Sequence, residues 1–322
     1  QNNAKHNAGV TVTIIELRQI SAAPKFIYDE ATVTPVANIN GYLANGRNIA
    51  VERRSESLSH LPKMYFGSMP NDGGNLILSG IERDQLLRTH PEATPLIRRF
   101  MGSQEFLNGQ ERWCLKIEDN ELEFALTIEP IKVRLERIRH IRAKSTEKST
   151  RALANTPHKF YFSAHRDDAT SILVPCHSSE KREYSPIGFY DGNTVILNSA
   201  LAVFDPEPWL FSIISSKMHN IWIRAVGGRL EERIRYSVGI CYNTFPIPEL
   251  ADTQKAVLTS HAFNILAERE QHPEKTIAQL YAPDAMPKAL LDCHRDLDNS
   301  LERCYRSRPF TSDEQRLEHL FE

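Results

Sequence analysis

The sequence predicts an α+β fold: a mixed, mostly antiparallel sheet with long helices, followed by a small all-α C-terminal unit. Short β-branched or aromatic runs separated by turn residues recur between residues 160 and 197, the pattern of a multi-stranded sheet. Apolar residues recur at helical intervals in two longer segments, one from Glu129 and one from Asp205. Beyond Pro246 and Pro248, which end regular structure, three amphipathic patterns follow with no strand signal between them.

Taken in chain order, residues 9–17 are β-branched and bounded by a polar Asn/Lys segment, which predicts a strand. Too little precedes it to make a sheet, and the first residue is Gln1, so residues 1–50 are expected to be the tail of an upstream domain with a Pro/Asn/Gly-rich connector. Residues 71–75 (Asn-Asp-Gly-Gly-Asn) predict a loop, because Asn, Asp and Gly tolerate positive φ. Ser79 and Glu82 have capping-box spacing and start a short helix. From Glu129, the positions Ile131, Leu135 and Ile138 mark the inner side of a long helix that fades in residues 144–150. Strands are expected at 160–162, 171–174, 188–190 and 195–197.

Asp205-Pro206 reads as an N-cap followed by proline at the first helical position. The helix it opens, with Leu210, Ile213, Ile214, Ile221 and Trp222 inward, should stop at Gly227-Gly228. Residues 229–235 then lie on a loop or strand, and 237–242 predict a last strand. Residues 253–270, 287–305 and 312–321 read as three helices. The expected division is a tail and connector to 50, a central α+β domain over 51–248 and a helical domain over 249–322.

Composition narrows the function classes. With 322 residues, 41% hydrophobic and 25% charged, the chain can bury a substantial core. No signal or transit segment is visible. The most apolar long segment, 209–226, contains Lys217, His219, Asn220 and Arg224, too polar to span a membrane. Five widely spaced cysteines without a C-x-x-C pair fit a reducing cytoplasm rather than a disulfide framework. Net charge is −2, but residues 1–248 carry 30 basic and 27 acidic side chains, against 9 and 14 in 249–322. Residues 131–151 alone hold eight basic and two acidic side chains.

The segment 224–237 concentrates the chemistry. Arg224 precedes the glycine pair, and just past it Arg229, Arg233 and Arg235 alternate with Glu231 and Glu232. A guanidinium forks onto guanine O6 and N7, and a carboxylate accepts from cytosine N4. Glu231 and Arg233 are two residues apart, so on an extended backbone they point the same way and could read one C·G pair. The exposed-strand alternative, with charges paired across neighbours, is equally compatible with these residue types. The basic face of 131–151, with Arg137, Arg142 and Lys148, suits phosphate contact, although a plain solvated helix face has the same composition. Arg224, Arg229, Arg235, Lys181 and Arg182 are further candidates for phosphate.

Cys176-His177 lacks a second ligand pair, which disfavours zinc, and no metal site is expected. Asp167-Asp168 with Glu180-Lys181 does not reproduce the (D/E)-x-K spacing of nucleases, because Arg182 follows Glu180 by two. No dinucleotide, Walker, N-P-P-[YF], G-x-S-x-G or H-E-x-x-H motif occurs, so no catalytic constellation is visible. Two readings remain: a double-stranded DNA recognition module, or a protein-interaction or structural domain whose arginines meet acidic partners. Salt dependence combined with sequence preference separates them.

A resemblance extends over essentially the whole chain. The stretches Asn2 to Lys5, Asn7 to Val10, Phe66 to Leu76, Gly102 to Gly109 and Arg112 to Leu115 resemble the MmeI-like family of fused restriction–modification enzymes and related adenine DNA methyltransferases. So do Ser178 to Tyr184, Pro186 to Gly188, Ser215 to His219, Arg224 to Leu230, Arg235 to Ser237 and Tyr242 to Pro248. The resemblance implies that the first 50 or so residues end a methyltransferase domain, the middle is a target-recognition domain, and about the last 75 form its helical C-terminal unit. It implies transfer of a methyl group from S-adenosylmethionine to adenine N6, with the base extruded from the duplex.

The family's cofactor and N-P-P-[FY] motifs lie upstream of such a segment, so this chain is expected to be catalytically silent and to bind no cofactor itself. Its expected partners are double-stranded DNA and the upstream methyltransferase domain. The family's base-choosing positions fall at His177, Ser178, Asn198, Ser199, Glu231 and Arg233.

Overall fold

Mixed, mostly antiparallel pairing is present as expected, but it is divided among four small sheets in the computed structural model, which describes residues 14–19, 21, 23–28, 33–230 and 233–322. Lys25–Tyr28 pairs with Val33–Val36. A second sheet orders Thr194–Ile196, Ile97–Met101, Trp113–Leu115 and Ile77–Leu78, with its first pair parallel and the others antiparallel. The third, fully antiparallel, orders Met64–Phe66, Ala200–Phe204, Ser171–Pro175 and Gly188–Tyr190. The fourth has three strands, Gly228–Leu230, Arg233–Arg235 and His177–Ser179.

Two passages of chain tie these sheets together. Ser171–Pro175 is an entirely buried run of the third sheet and continues through Cys176 into His177–Ser179 of the fourth. Thr194–Ile196 in the second sheet passes through residues 197–199 into Ala200–Phe204 of the third. The sites singled out by sequence thus sit where chain leaves a rigid core.

That core has two main parts. One packs Leu76, Leu96, Phe100 and Leu115 beneath Ile131, Leu135 and Ile138 of the helix Glu129–Ala143. The other joins Ile172, Leu201 and Val203 to Phe211 and Trp222, and continues into Leu258, Ile265, Leu297 and Leu301 of the C-terminal helices Asp252–Glu270 and Lys288–Tyr305. The helical C-terminal segment therefore shares its hydrophobic core with the central sheet. Phe321, beyond the helix Asp313–Leu320, completes the seam by meeting Trp222 at 5.3 Å and stacking on Tyr42.

Local expectations fare unevenly. Ser79 and Glu82 form the full capping box at the start of Gly80–Thr89. Residues 71–75 are a loop with Asn71, Gly73 and Gly74 at positive φ. The expected helix from Asp205 differs: Asp205 itself has φ 47°, the first helical residue is Trp209, and the helix is interrupted at Ser216. Ser216 adopts an extended backbone and accepts a hydrogen bond from His219 N, capping a second helix, Lys217–Val226. Residues 237–242 are not a strand; Val238–Tyr242 is a turn of π-helix. Of 160–162, only Phe162 makes a bridge, to Met69. Residues 9–13 lie outside those described, and 14–17 are exposed without regular structure rather than a strand.

Candidate nucleic-acid interface

The three-stranded sheet brings together residues some 58 positions apart. Its register sets Arg235 opposite His177, Ile234 opposite Ser178 and Arg233 opposite Ser179. Directly paired residues share a face, and faces alternate along a strand. Ile234 is only 4% exposed and anchors one face in the core, whereas Arg233 and Arg235 are exposed on the other. His177 belongs to the arginine face. Its imidazole is held below the ordinary histidine pKa, first by burial and then by the charges of Arg233 and Arg235. A neutral ring offers one donor and one acceptor to a base edge.

Ser178 requires a correction. It shares the inward face with Ile234, and its hydroxyl is buried without a hydrogen-bond partner among the described residues, in a small cavity lined by Val174, Pro175, Ile223 and Ile234. A side chain turned into the core cannot read a base. Period-two alternation alone allows only one of two neighbours to face outward.

The Asn198–Ser199 loop lies beside His177. Cys176 N donates to Ser199 O at 3.2 Å, and Asn198 N donates to Ser68 O at 3.0 Å. Gly67 makes the second contact possible, because a β-carbon there would sit 2.2 Å from Leu197 O. Asn198 is exposed. Ser199 is tied inward: its hydroxyl accepts from Ser103 N at 3.0 Å, and its carbonyl accepts from Ser103 Oγ. Glu231, with Glu232, lies outside the described residues.

The basic candidates divide by environment. Arg229 is exposed and paired with Glu180 at 2.5 Å. Arg224 is half-buried and donates to the carbonyl of Arg182, itself half-buried, while Lys181 is exposed. On Glu129–Ala143 and just beyond, Arg137, Arg139, Lys144 and Lys148 are exposed. Arg134 turns back onto Asn75 O, Ile77 O and Glu82.

Arg142 is the clear correction among the expected phosphate ligands. It is 0% exposed, and its guanidinium donates to five main-chain carbonyls, those of Pro70, Asn71, Leu153, Thr156 and Lys159. No donor is left for a phosphate. The sequence held the signal, since Arg142 follows Ile131, Leu135 and Ile138 at the spacing of the buried stripe.

Sequence reasoning missed Arg53 and Arg54. Both are exposed beside the π-helical turn that follows Arg235: Arg54 N donates to Gly239 O at 2.9 Å, and a β-carbon at Gly239 would meet the Arg53 side chain at 2.6 Å. Nothing in a single sequence signals an approach between segments so far apart. Among the described residues, no group of three His, Cys, Asp or Glu is arranged to hold a metal ion, and no helix is long and apolar enough to cross a membrane.

Comparison with known proteins identifies the family. Residues 45–249 match the family described as MmeI, target recognition domain, and residues 250–322 match MmeI, C-terminal domain. The chain is 41% identical over 320 residues to DNA methyltransferase A of Bacillus subtilis (strain 168), covering 99% of this chain and 36% of that protein. The structure of the Type IIL restriction-modification enzyme MmeI in complex with DNA is similar with a TM-score of 0.84 at 35% identity, over 92% of this chain and 40% of that one. The chain thus spans between a third and a half of the length of these relatives. With its residues from 45 onward matched by these two consecutive domains, the chain belongs to the MmeI family.

Proposed function

We propose that this chain is the sequence-recognition part of an S-adenosylmethionine-dependent DNA adenine-N6 methyltransferase, holding duplex DNA in register while a domain outside the chain transfers the methyl group. The observation that carries this reading is the exposed face on which Arg233, Arg235 and a neutral His177 are fixed by strand pairing, with Asn198 alongside. Arginine suits guanine O6 and N7, and asparagine suits adenine N6 and N7. Arg233, His177, Asn198 and Glu231 are assigned to base edges. Arg235, Arg229, Lys181, Arg137 and Lys148 are assigned to phosphates, which set position without carrying sequence. S-adenosylmethionine is assigned to the parent protein.

Titration of duplex binding against salt tests the assignment. Affinity should fall steeply with salt, and Arg137→Ala with Lys148→Ala should lower the slope by roughly two units, about one per phosphate contact. An unchanged slope would return both side chains to plain solvation. Steep salt dependence with no preference among DNA sequences would favour the protein-interaction alternative.

A further inference from the structure

The segment that leaves the base-facing strand His177–Ser179 is held by helices of the C-terminal part. Tyr184 is 1% exposed; its hydroxyl donates to Asp298 Oδ2 at 2.7 Å, and its ring stacks on His294 at 4.3 Å and 23°. Asp298 and His294 both belong to Lys288–Tyr305. His294 Nε2 and the Tyr281 hydroxyl share a hydrogen bond of 2.8 Å. That hydroxyl also accepts from Arg269 Nε at 2.8 Å, and Arg269 Nη1 donates to Ile187 O at 2.7 Å. The circuit starts at Tyr184, passes through two C-terminal helices and returns to the same segment three residues on. On the other side, Asn220 Oδ1 accepts from Ser185 N and Oγ at 3.1 and 2.6 Å. Asp298 Oδ1 meanwhile accepts from Lys217 N at 2.8 Å, tying the circuit to the start of Lys217–Val226.

We infer that Tyr184, Tyr281, His294, Asp298 and Arg269 are positioning residues for base reading, so that C-terminal helices set the discrimination of a surface they do not themselves form. This rests on the recognition function proposed above. The physical ground is that every group in the circuit is buried. A segment displaced by about 1 Å would leave several donors and acceptors unpaired in low dielectric, so one geometry is strongly selected. From Tyr184 the chain reaches His177 through the turn at 180–183, where Arg224 donates to Arg182 O, and then through Ser179 and Ser178 of the strand; Arg233 and Arg235 follow through pairing.

The test uses the intact parent protein, with modified adenines mapped in cells expressing it and purified protein assayed on cognate and single-mismatch duplexes. Tyr184→Phe removes one hydroxyl, and Tyr281→Phe removes the link between His294 and Arg269. Either should raise methylation of single-mismatch sites relative to cognate sites by about ten-fold, with the salt slope of binding unchanged. Leu301→Ala, a core change in the same C-terminal helix without a hydrogen bond in the circuit, serves as a control at matched thermal midpoint. It should lower total activity without altering the ratio.

An unchanged ratio in soluble Tyr184→Phe and Tyr281→Phe proteins overturns the inference. The same loosening in Leu301→Ala overturns it too, because any destabilisation would then suffice. If Tyr184→Phe does not accumulate, Tyr281→Phe decides alone. A wild-type parent that modifies no consensus sequence overturns the recognition function itself, a different result from an unchanged ratio.

Discussion

Arg142→Ala is expected to destabilise the fold by about 4 kcal/mol or more, because several of the five carbonyls that its guanidinium satisfies would be left unpaired, at about 1–3 kcal/mol for each group that water does not reach. Those carbonyls belong to two segments, 70–71 and 153–159, which the side chain holds to the end of Glu129–Ala143. Lysine offers three donors from a compact head in place of a planar fork of five, so Arg142→Lys should recover only part of the loss. Denaturant unfolding checks this, with Arg137→Ala as the exposed comparison expected to stay within about 0.5 kcal/mol of wild type. Equal stability of Arg142→Ala and Arg137→Ala would contradict the cage. The salt slope of DNA binding should not change in Arg142→Ala molecules that remain folded, because this charge never faces solvent.

The second large effect is a dependence of stability on pH through Asp298. Burial, helped by the Glu302 charge, pushes its carboxyl up to about 7 from 3.8, against the opposing hydrogen bonds from Lys217 N and Tyr184 and the Lys217 charge. The folded protein then keeps a proton that the unfolded chain releases near pH 3.8. The contribution is therefore fully present below pH 3.8, erodes as pH rises, and is lost above about 7. At 1.36 kcal/mol per pKa unit the full effect is about 4 kcal/mol.

Asp298→Asn mimics the protonated acid, keeping an acceptor for Lys217 N and supplying a donor to the Tyr184 hydroxyl. Its unfolding free energy minus that of wild type should therefore rise between pH 4 and 7 and level off above. The difference matters, because buried His219 and His294 act in the opposite sense. Both are held neutral by burial, and each removes stability as pH falls below the ordinary histidine value. A flat difference curve would show that Asp298 ionises as easily in the fold as out of it.

Much of the fold is written in local signals. Ser79 and Glu82 name a helix start, Ile131, Leu135 and Ile138 name its neighbour's inner stripe, and the apolar spacing after Pro248 names the C-terminal helices. What local signals cannot carry is pairing. Met64–Phe66 and Ile77–Leu78 are too short to show a period, and they become strands only because Leu201–Val203 and Trp113–Cys114 lie opposite them. The interruption at Ser216 was hidden for a related reason. A serine cap without a Glu or Gln three residues on looks like any helical serine, and His219 stands there instead.

The site follows the same division. The concentration of arginines was legible from residue types and spacing, but the pairing of Gly228–Leu230 with Arg233–Arg235, which sets Arg229 opposite Ile234, was not. The apposition of Arg235 to His177 depends on register, which also decides that Ser178 turns inward with Ile234. The basic helix was read as one face, yet helical geometry splits it. Arg137 and Arg139 look outward, Arg134 and Arg142 look back, and only the second pair holds the fold together, while Lys148 opens a separate helix, Lys148–Ala152.

The central claim is that the outward face of this three-stranded sheet reads base edges, with Glu231 and Arg233 acting together on one C·G pair. The most direct measurement is to map modified adenines made by the intact parent carrying Glu231→Lys with Arg233→Asp, which exchanges donor and acceptor between the two positions. One bidentate contact discriminates by about 1–3 kcal/mol, so the recognised sequence should change at a single position from C·G to G·C and stay as it was elsewhere. An unchanged sequence, or loss of all modification through misfolding at normal cofactor affinity, would make the pair structural and contradict the assignment of this face to base reading.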